Sequence, residues 1–202
     1  MDRNRVELME KQAAFAGYFH IHRLRVRFPL FAGGMSREVV REVLERGRVA
    51  AVLLTDPDRD AVVLIEQFRP GPYAAGDEPW MIEIVAGVIE DDESAEEMTR
   101  REAREEADCE IEDLFPVMTF FTSPGASTEK VTLFCARVDS SNAGGIHGLA
   151  EEGEDIRVLV MSVDEAIALL NQGRIANAKT IIALQWLAAH YQSVKKRWLA
   201  SE

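Results

Sequence analysis

The sequence predicts an α/β fold with a mixed central sheet, preceded by a small N-terminal β subdomain. Two observations support this class: short apolar runs of strand length recur along the chain, and segments with helical periodicity separate or follow them. The chain has 202 residues, enough for one ordinary domain with an elaboration. We therefore expect an N-terminal β segment over residues 1–46 and one larger domain over residues 47–202.

Strands are predicted from the spacing of apolar residues. Residues 18–28 mostly alternate between apolar and polar, which is typical of a half-buried strand. The continuous apolar runs 49–54 and 61–68 flank the turn-rich segment TDPDRD, so they are expected to pair as buried strands. Further strands are expected at residues 36–45, 80–87, 117–122, 131–138 and 156–161.

Helices are predicted where the period changes. Ser94 followed by Glu97 is a capping-box pattern, and the next apolar residues have helical spacing, so a helix is expected from Ala95 to Ala107. Two C-terminal helices are expected at residues 163–171 and 177–190. The Gly-rich, acidic stretch 140–155 is expected to be a long loop, either a functional lid or disordered.

Charge and cysteine content exclude several classes of function. The chain has 35 acidic and 23 basic residues, a formal net charge of −12, which argues against nucleic acid or an anionic membrane as partner. Its two cysteines lie in apolar or helical contexts, which favours a reducing compartment. The N-terminus is too charged for a signal peptide and no apolar run could cross a bilayer, so a cytoplasmic location is expected.

The stretch REAREEAD, from Arg101 to Asp108, concentrates like charges on the predicted helix. Glu105 has Arg101 one helical turn away, but Glu102 and Glu106 have no basic residue three or four positions away and face each other at i,i+4. Like charges at this spacing cost a helix about 0.2–0.5 kcal/mol. A divalent cation would compensate them, because hard ions such as Mg2+ take carboxylate oxygens together with substrate phosphates.

These acids belong to a longer pattern that starts at Gly87. The pattern consists of a glycine, five residues, Glu93, seven residues, Arg101-Glu102, an apolar residue, any residue and Glu105-Glu106. It resembles the signature of the Nudix hydrolases. The chain departs from that signature at Asp108, where the family usually has Gly, and at Cys109, where it usually has an aliphatic residue. Because Asp tolerates the left-handed conformation better than most residues, the helix end should survive.

The resemblance implies an α/β/α sandwich and hydrolysis of a pyrophosphate linked to another moiety. It implies two or three Mg2+ ions, or Mn2+ as a substitute, held by Glu102, Glu106 and the backbone carbonyl of Ala86. Glu105 would be a further or water-mediated ligand, and Arg101 would orient Glu93 or Glu105. The alternative to a metal site is that these charged side chains form only a solvated helix surface.

Pro124, fifteen residues past Cys109, and most of the chain from Tyr18 onward resemble the bacterial ADP-ribose pyrophosphatase branch. That branch implies hydrolysis of ADP-ribose to AMP and ribose 5-phosphate in a homodimer that exchanges its N-terminal segments. It implies Glu152 as the base that deprotonates water and Glu154 as an additional metal ligand. The implied substrate contacts are Tyr18, Phe19, Arg41, Glu42, Arg46, Arg69, Val88, Ser123 and Glu129.

The residues leave other interpretations of the function open. The same machinery could act on another nucleoside diphosphate sugar, such as GDP-mannose or ADP-glucose, and a non-catalytic nucleotide sensor is a different class of hypothesis. The alternative interpretation is that Glu151, Glu152 and Glu154 belong to a disordered, solvated loop. His20 and His22 share a strand face, but no third zinc ligand stands near them in the sequence.

Overall fold

The computed structural model describes residues 5–199, except for the side chain of Glu152. They divide into two compact units, one containing the described residues up to Arg48 together with Phe121–Lys130, and the other containing the rest. The first unit is a three-stranded antiparallel sheet in the order β1-β2-β3. Its strands are β1 (Glu7–Ala16), β2 (His20–Arg27) and β3 (Val39–Glu45).

The second unit is built on an eight-stranded sheet. The main path is β10-β11-β5-β4-β9-β8, and β6 pairs with β5 while β7 pairs with β4. The strands are β4 (Arg48–Asp56), β5 (Ala61–Phe68), β6 (Trp80–Glu83), β7 (Val85–Val88), β8 (Asp113–Phe121), β9 (Lys130–Arg137), β10 (Ile146–His147) and β11 (Ile156–Ser162). The helices are α1 (Pro70–Ala75), α2 (Ala95–Ala107), α3 (Val163–Asn171) and α4 (Ala178–Leu199).

Helices cover both faces of the larger sheet. Along β4, Ala50, Val52 and Leu54 face the core that contains α2 residues, whereas Val49, Ala51 and Leu53 face the core that contains α3 and α4 residues. Strands buried on both faces are expected to be continuously apolar, as β4 is. The predicted α/β/α sandwich is therefore confirmed.

The segment WMIEIVAG forms two strands instead of the single predicted one. β6 pairs with β5, and β7 pairs with β4, so the chain changes partner at Ile84. The backbone N–H of Ile84 donates to Thr180 Oγ1 on α4 at 3.0 Å. This break places Glu83 and Ala86 in separate ladders at the same end of the sheet.

Other elements also differ from the sequence-based expectations: the short helix α1 was not predicted, and β8 begins at Asp113, before the predicted start at residue 117. β1 was not predicted, because every residue in it is exposed and no buried face shows in its pattern. β2 begins at His20, so Tyr18 and Phe19 lie in the turn before it and not on the predicted strand. α4 continues to Leu199, well past the predicted end at residue 190.

The predicted long loop 140–155 contains two short ordered elements. β10 pairs with β11, and a single 3-10 turn spans Ala150–Glu152. Among the described residues, no helix combines the length and the apolar character needed to span a membrane.

Candidate active site

The site is organised by the loop and helix that follow β7. Ser94 Oγ accepts the N–H of Glu97 at 3.2 Å, and Glu97 Oε2 accepts the N–H of Ser94 at 2.9 Å, so the predicted capping box is formed. The helix spans Ala95–Ala107 as predicted, and Asp108 ends it in the left-handed conformation with φ of 50°. Local sequence signals therefore fix where the glutamates of α2 begin and end.

Gly87 allows the strand to approach the helix closely. A Cβ at this position would overlap the carboxyl group of Glu102. Any other residue would therefore have to displace the Glu102 side chain. This contact explains why the pattern begins with glycine fifteen positions before Glu102.

The Arg101 guanidinium connects three carboxylates. It donates to Glu93 at 3.0 Å from Nε and 3.2 Å from Nη2, and from Nη1 to Glu102 at 2.9 Å and Glu105 at 3.0 Å. Hydrogen bonding from Arg101 holds the pKa of Glu93 below its usual value. Both carboxylates that the sequence offered as Arg101 partners are therefore bound by it.

Glu102 differs from the sequence-based expectation that it has no cationic partner. Counting neighbours three and four positions away misses Arg101, whose long side chain reaches the adjacent carboxylate. Even so, the pKa of Glu102 is raised, because burial outweighs the attraction to Arg101. Arg101 is shared with Glu93 and Glu105, so it compensates Glu102 only in part.

Glu106 is the least compensated carboxylate of the helix. Only 3% of it is exposed, and among the described residues its one hydrogen bond comes from the backbone N–H of Ala86 at 3.3 Å. Burial, followed by the charges of Glu102 and Glu154, raises the pKa of Glu106 to about 8, against a smaller opposing effect of Arg69. A buried carboxylate in this setting favours either a proton or a bound cation.

The acidic loop contributes Glu154 to the same place. The Gly148 N–H donates to the Glu105 carbonyl at 3.2 Å, and the Leu149 N–H donates to Glu154 Oε2 at 3.0 Å. The Glu154 charge raises the pKa of both Glu102 and Glu106. Three of the predicted metal ligands thus lie close enough to influence one another. The side chain of the predicted base, Glu152, lies outside the described part of the structure.

The donor set suits a hard divalent cation. It consists of carboxylate oxygens, and the buried Glu106 carboxyl accepts a long hydrogen bond of 3.3 Å from the Ala86 N–H. Among residues 5–199, no three Asp, Glu, His or Cys side chains already stand in an arrangement that could hold an ion. Mg2+ sites commonly use one or two carboxylates and complete their coordination with water and substrate phosphate, so the residues fit this class.

Four of the predicted substrate contacts form a cluster in the N-terminal unit. Arg46 lies 3.6 Å from Glu129, from Nε to Oε2, and its guanidinium lies over the Phe19 ring at 5.2 Å. Tyr18 meets Phe19 edge to face with a centroid distance of 4.9 Å, and 87% of Tyr18 is exposed. An exposed aromatic next to an arginine is suited to stacking on a planar ring.

The other predicted contacts of this unit have separate partners. Arg41 donates to its neighbouring carbonyl at Val40, Glu42 accepts from Arg23, and the Ser123 carbonyl accepts two N–H groups within its own turn. In the larger unit, Val88 ends β7 with 44% of its surface exposed. Arg69 precedes α1 and donates from Nε to Glu83.

The sequence-based reasoning missed Glu83, which is only 2% exposed. Its signal was a single acid in the otherwise apolar strand segment WMIEIV. Gln67 on β5 was also missed: it is 6% exposed, and its Nε2 has no partner among the described residues. Buried polar groups of this kind call for an explanation.

Comparisons with known proteins agree with this geometry. The model of the NUDIX domain matches residues 45–184. The chain is 46% identical over 196 residues to a protein of Escherichia coli strain K12 named ADP-ribose pyrophosphatase, covering 97% of this chain and 94% of the relative.

One further relative and one solved structure extend the comparison. A GDP-mannose pyrophosphatase of Pectobacterium atrosepticum is 37% identical over 184 residues, covering 89% of this chain and 92% of the relative. A solved structure described as an ADP compounds hydrolase is 19% identical with a TM-score of 0.69, covering 92% of this chain and 96% of that one. At that identity, the structural match supports the fold alone.

Proposed function

The chain belongs to the NUDIX family, and we propose that it hydrolyses the pyrophosphate of ADP-ribose to AMP and ribose 5-phosphate. The observation that carries a pyrophosphatase assignment is the buried, under-compensated Glu106 beside Glu102. The preference for ADP-ribose is supported by the 46% identical relative that bears this activity in its name. The 37% identical GDP-mannose pyrophosphatase makes GDP-mannose the second candidate substrate.

Nudix hydrolases use divalent metal ions, and we propose two or three Mg2+ here, with Mn2+ as a substitute. Glu102, Glu106, Glu154 and the carbonyl of Ala86 would hold them, with Glu105 acting through water because Arg101 pairs with it. When bound, the ions would offset the charge of the substrate and lower the pKa of bound water. The supporting observation is the mutual repulsion of Glu102, Glu106 and Glu154.

Glu152 is the proposed base that deprotonates the attacking water. It ends a short 3-10 turn that lies between Leu149 and Glu154. The backbone N–H of Leu149 donates to the side chain of Glu154. The Gly148 N–H ties the start of this segment to the Glu105 carbonyl. A base on this loop would act beside the helix carboxylates without being one of them.

The proposal for Glu152 predicts a specific kinetic change. Glu152→Gln should lower kcat by about 100-fold or more, the usual range for loss of a general base, because the amide cannot accept the proton. Substrate binding should be largely kept, which calorimetry with ADP-ribose can measure on the same variant. A wild-type kcat would show that another group acts as base, and Glu151→Gln provides the matched control on the same loop.

The adenosine and ribose parts are proposed to contact Tyr18, Phe19, Arg41, Glu42, Arg46, Arg69, Val88, Ser123 and Glu129. Tyr18 or Phe19 would stack on the adenine, and the arginines would donate to phosphate through their planar guanidinium groups. The Arg46, Glu129 and Phe19 cluster supports this set most directly. We further propose a cytoplasmic homodimer that exchanges its N-terminal segments.

A substrate panel tests the proposed function. The purified protein with Mg2+ is assayed against ADP-ribose, ADP-glucose and GDP-mannose, and products are separated by chromatography. ADP-ribose should give the highest kcat/KM, with AMP and ribose 5-phosphate as products. A higher kcat/KM for GDP-mannose would overturn the substrate assignment, and hydrolysis of none of them with Mg2+ or Mn2+ would favour a nucleotide sensor.

A further inference from the structure

Glu83 is a buried carboxylate whose two oxygens are both occupied by side-chain donors. It ends β6 with 2% of its surface exposed. Glu83 Oε2 accepts from Arg69 Nε at 2.6 Å, and Glu83 Oε1 accepts from Asn177 Nδ2. The carboxylate therefore joins Arg69, which follows β5, to the segment that leads into α4.

The hydrogen-bond network continues into the first turn of α4. Asn177 Oδ1 accepts the N–H of Thr180 at 3.2 Å and lies 3.4 Å from Thr180 Oγ1, its other donor. Thr180 Oγ1 in turn accepts the N–H of Ile84, the residue after Glu83, at 3.0 Å. This closed ring of Glu83, Asn177, Thr180 and Ile84 restricts the rotation of the Glu83 carboxylate.

Arg69 uses only one side of its guanidinium in this network. Nε donates to Glu83, and no described residue accepts from its two terminal amino groups. Its side chain is 37% exposed, and its charge acts on Glu106. Arg69 therefore has two terminal donors available to a ligand, and its charge reaches Glu106 on the helix. A planar fork with two free donors matches a phosphate group.

Stability alone does not account for this arrangement. Removing the Glu83 carboxylate from water costs free energy that offsets much of its attraction to the partly exposed Arg69, so the pair contributes little net stability. A buried, fully bonded carboxylate does fix the orientation of its partner. A displacement of a phosphate-binding group by about 1 Å can lower a rate by about 100-fold.

We propose that Glu83 is a positioning residue that holds Arg69 through Nε, so that both terminal amino groups point to the substrate pyrophosphate. Asn177 and Thr180 extend this support to α4. The inference rests on the proposed pyrophosphatase function, and it assigns Glu83 a role that acts through Arg69 and not by contact with substrate.

A double-mutant cycle tests the role. In Glu83→Gln the amide NH2 would face a donor, because both Arg69 and Asn177 donate to this side chain. Glu83→Gln should lower kcat/KM for ADP-ribose by about 100-fold. In the Arg69→Ala background, the same substitution should change kcat/KM by less than about 2-fold, since its target is gone. Equal losses in both backgrounds would overturn the proposal.

The cycle has a second variant in case Glu83→Gln does not fold. Asn177→Ala removes one donor and leaves the Arg69 to Glu83 bond possible, so a smaller loss of about 10-fold is expected. This loss should also vanish in the Arg69→Ala background. Asp56→Asn, another buried carboxylate substituted by its amide, is the matched control and should leave kcat/KM unchanged.

A spectroscopic measurement separates this inference from the proposed function. In protein labelled with 15N-arginine, the Arg69 Nε–H signal is identified by its loss in Arg69→Lys. It should exchange slowly with solvent in the wild type and rapidly in Glu83→Gln. If none of the nucleoside diphosphate sugars is hydrolysed, slow exchange would still support the pairing while the proposed function fails. Rapid exchange in the wild type would overturn the positioning role.

Discussion

Asp56 and Glu106 are both buried acids of the larger unit, with 0% and 3% of their surfaces exposed. Asp56 accepts five hydrogen bonds, from the N–H groups of Asp58, Arg59 and Ser140, the Ser140 hydroxyl and the Arg59 guanidinium. Within residues 5–199, leaving aside the Glu152 side chain, Glu106 accepts one, from the Ala86 N–H. The difference separates a buried acid that stabilises the fold from the one that we propose as a metal ligand.

Their pKa values move in opposite directions although both side chains are buried. Burial alone would raise the pKa of Asp56, but the hydrogen bonds from Ser140 and Arg59 outweigh it and hold the pKa below its usual value. At Glu106 burial dominates, and the neighbouring carboxylates add to it, so the pKa rises to about 8. Hydrogen-bond donors supplied by the protein are what separate the two cases.

The largest expected effect is on turnover in Glu106→Gln. The amide removes a proposed metal ligand, so kcat should fall by more than about 100-fold. Loss of a residue that only orients a metal ligand costs about 10- to 100-fold. The variant should fold, because its side chain keeps its size and loses an unfavourable buried charge. The measurement is steady-state hydrolysis of ADP-ribose, with circular dichroism as the folding control. Turnover within about 10-fold of the wild type would remove Glu106 from the metal site.

The second effect is on stability in Asp56→Asn. The amide turns one acceptor into a donor that faces the Ser140 and Arg59 donors, so we expect the free energy of unfolding to fall by about 3 kcal/mol. Urea denaturation at neutral pH measures the change. Hydrolysis by the folded variant should remain at the wild-type level, because Asp56 lies outside the proposed site. A loss of activity without a loss of stability would contradict the comparison.

The sequence predicted the parts of this contrast that depend on local signals. One short segment determines the bounds of α2, its capping box and the spacing of Glu102 and Glu106. The predicted bounds and the capping box are confirmed. The crowding at Glu106 depends instead on Glu154, far along the chain, and on the fold that buries the helix. Asp56 reads in the sequence as an ordinary turn residue, because Ser140, 84 residues away, supplies two of its donors.

Glu83 shows the same limit more clearly. Its place in an otherwise apolar segment marked it as part of a strand, but its partner Asn177 is 94 residues away. The change of strand partner at Ile84 also depends on Thr180, 96 residues away. No periodicity within WMIEIVAG encodes these contacts. Local patterns predicted the elements, and long-range donors decided what each buried acid does.

The third prediction concerns pH in protein stripped of metal by a chelator. The pKa of Glu106 is higher in the folded protein than its usual 4.5, so folding is favoured by protonation. This contribution is complete below about pH 4.5 and is lost as the pH rises through about 8. Glu106→Gln imitates the protonated form. It should therefore be more stable than the wild type at about pH 9, with the difference fading towards about pH 5.

Asp56 should give the opposite dependence in the same experiment. Its folded pKa is depressed, so its contribution is present above the unfolded value of about 3.9 and is lost as the pH falls through the folded pKa. The deficit of Asp56→Asn should thus be complete at neutral pH and shrink only in acid. Urea denaturation of the three proteins from about pH 3 to 9 measures both trends. Parallel stability curves for Glu106→Gln and the wild type would show that Glu106 is not strained without metal, and Mg2+ would then have no repulsion to relieve.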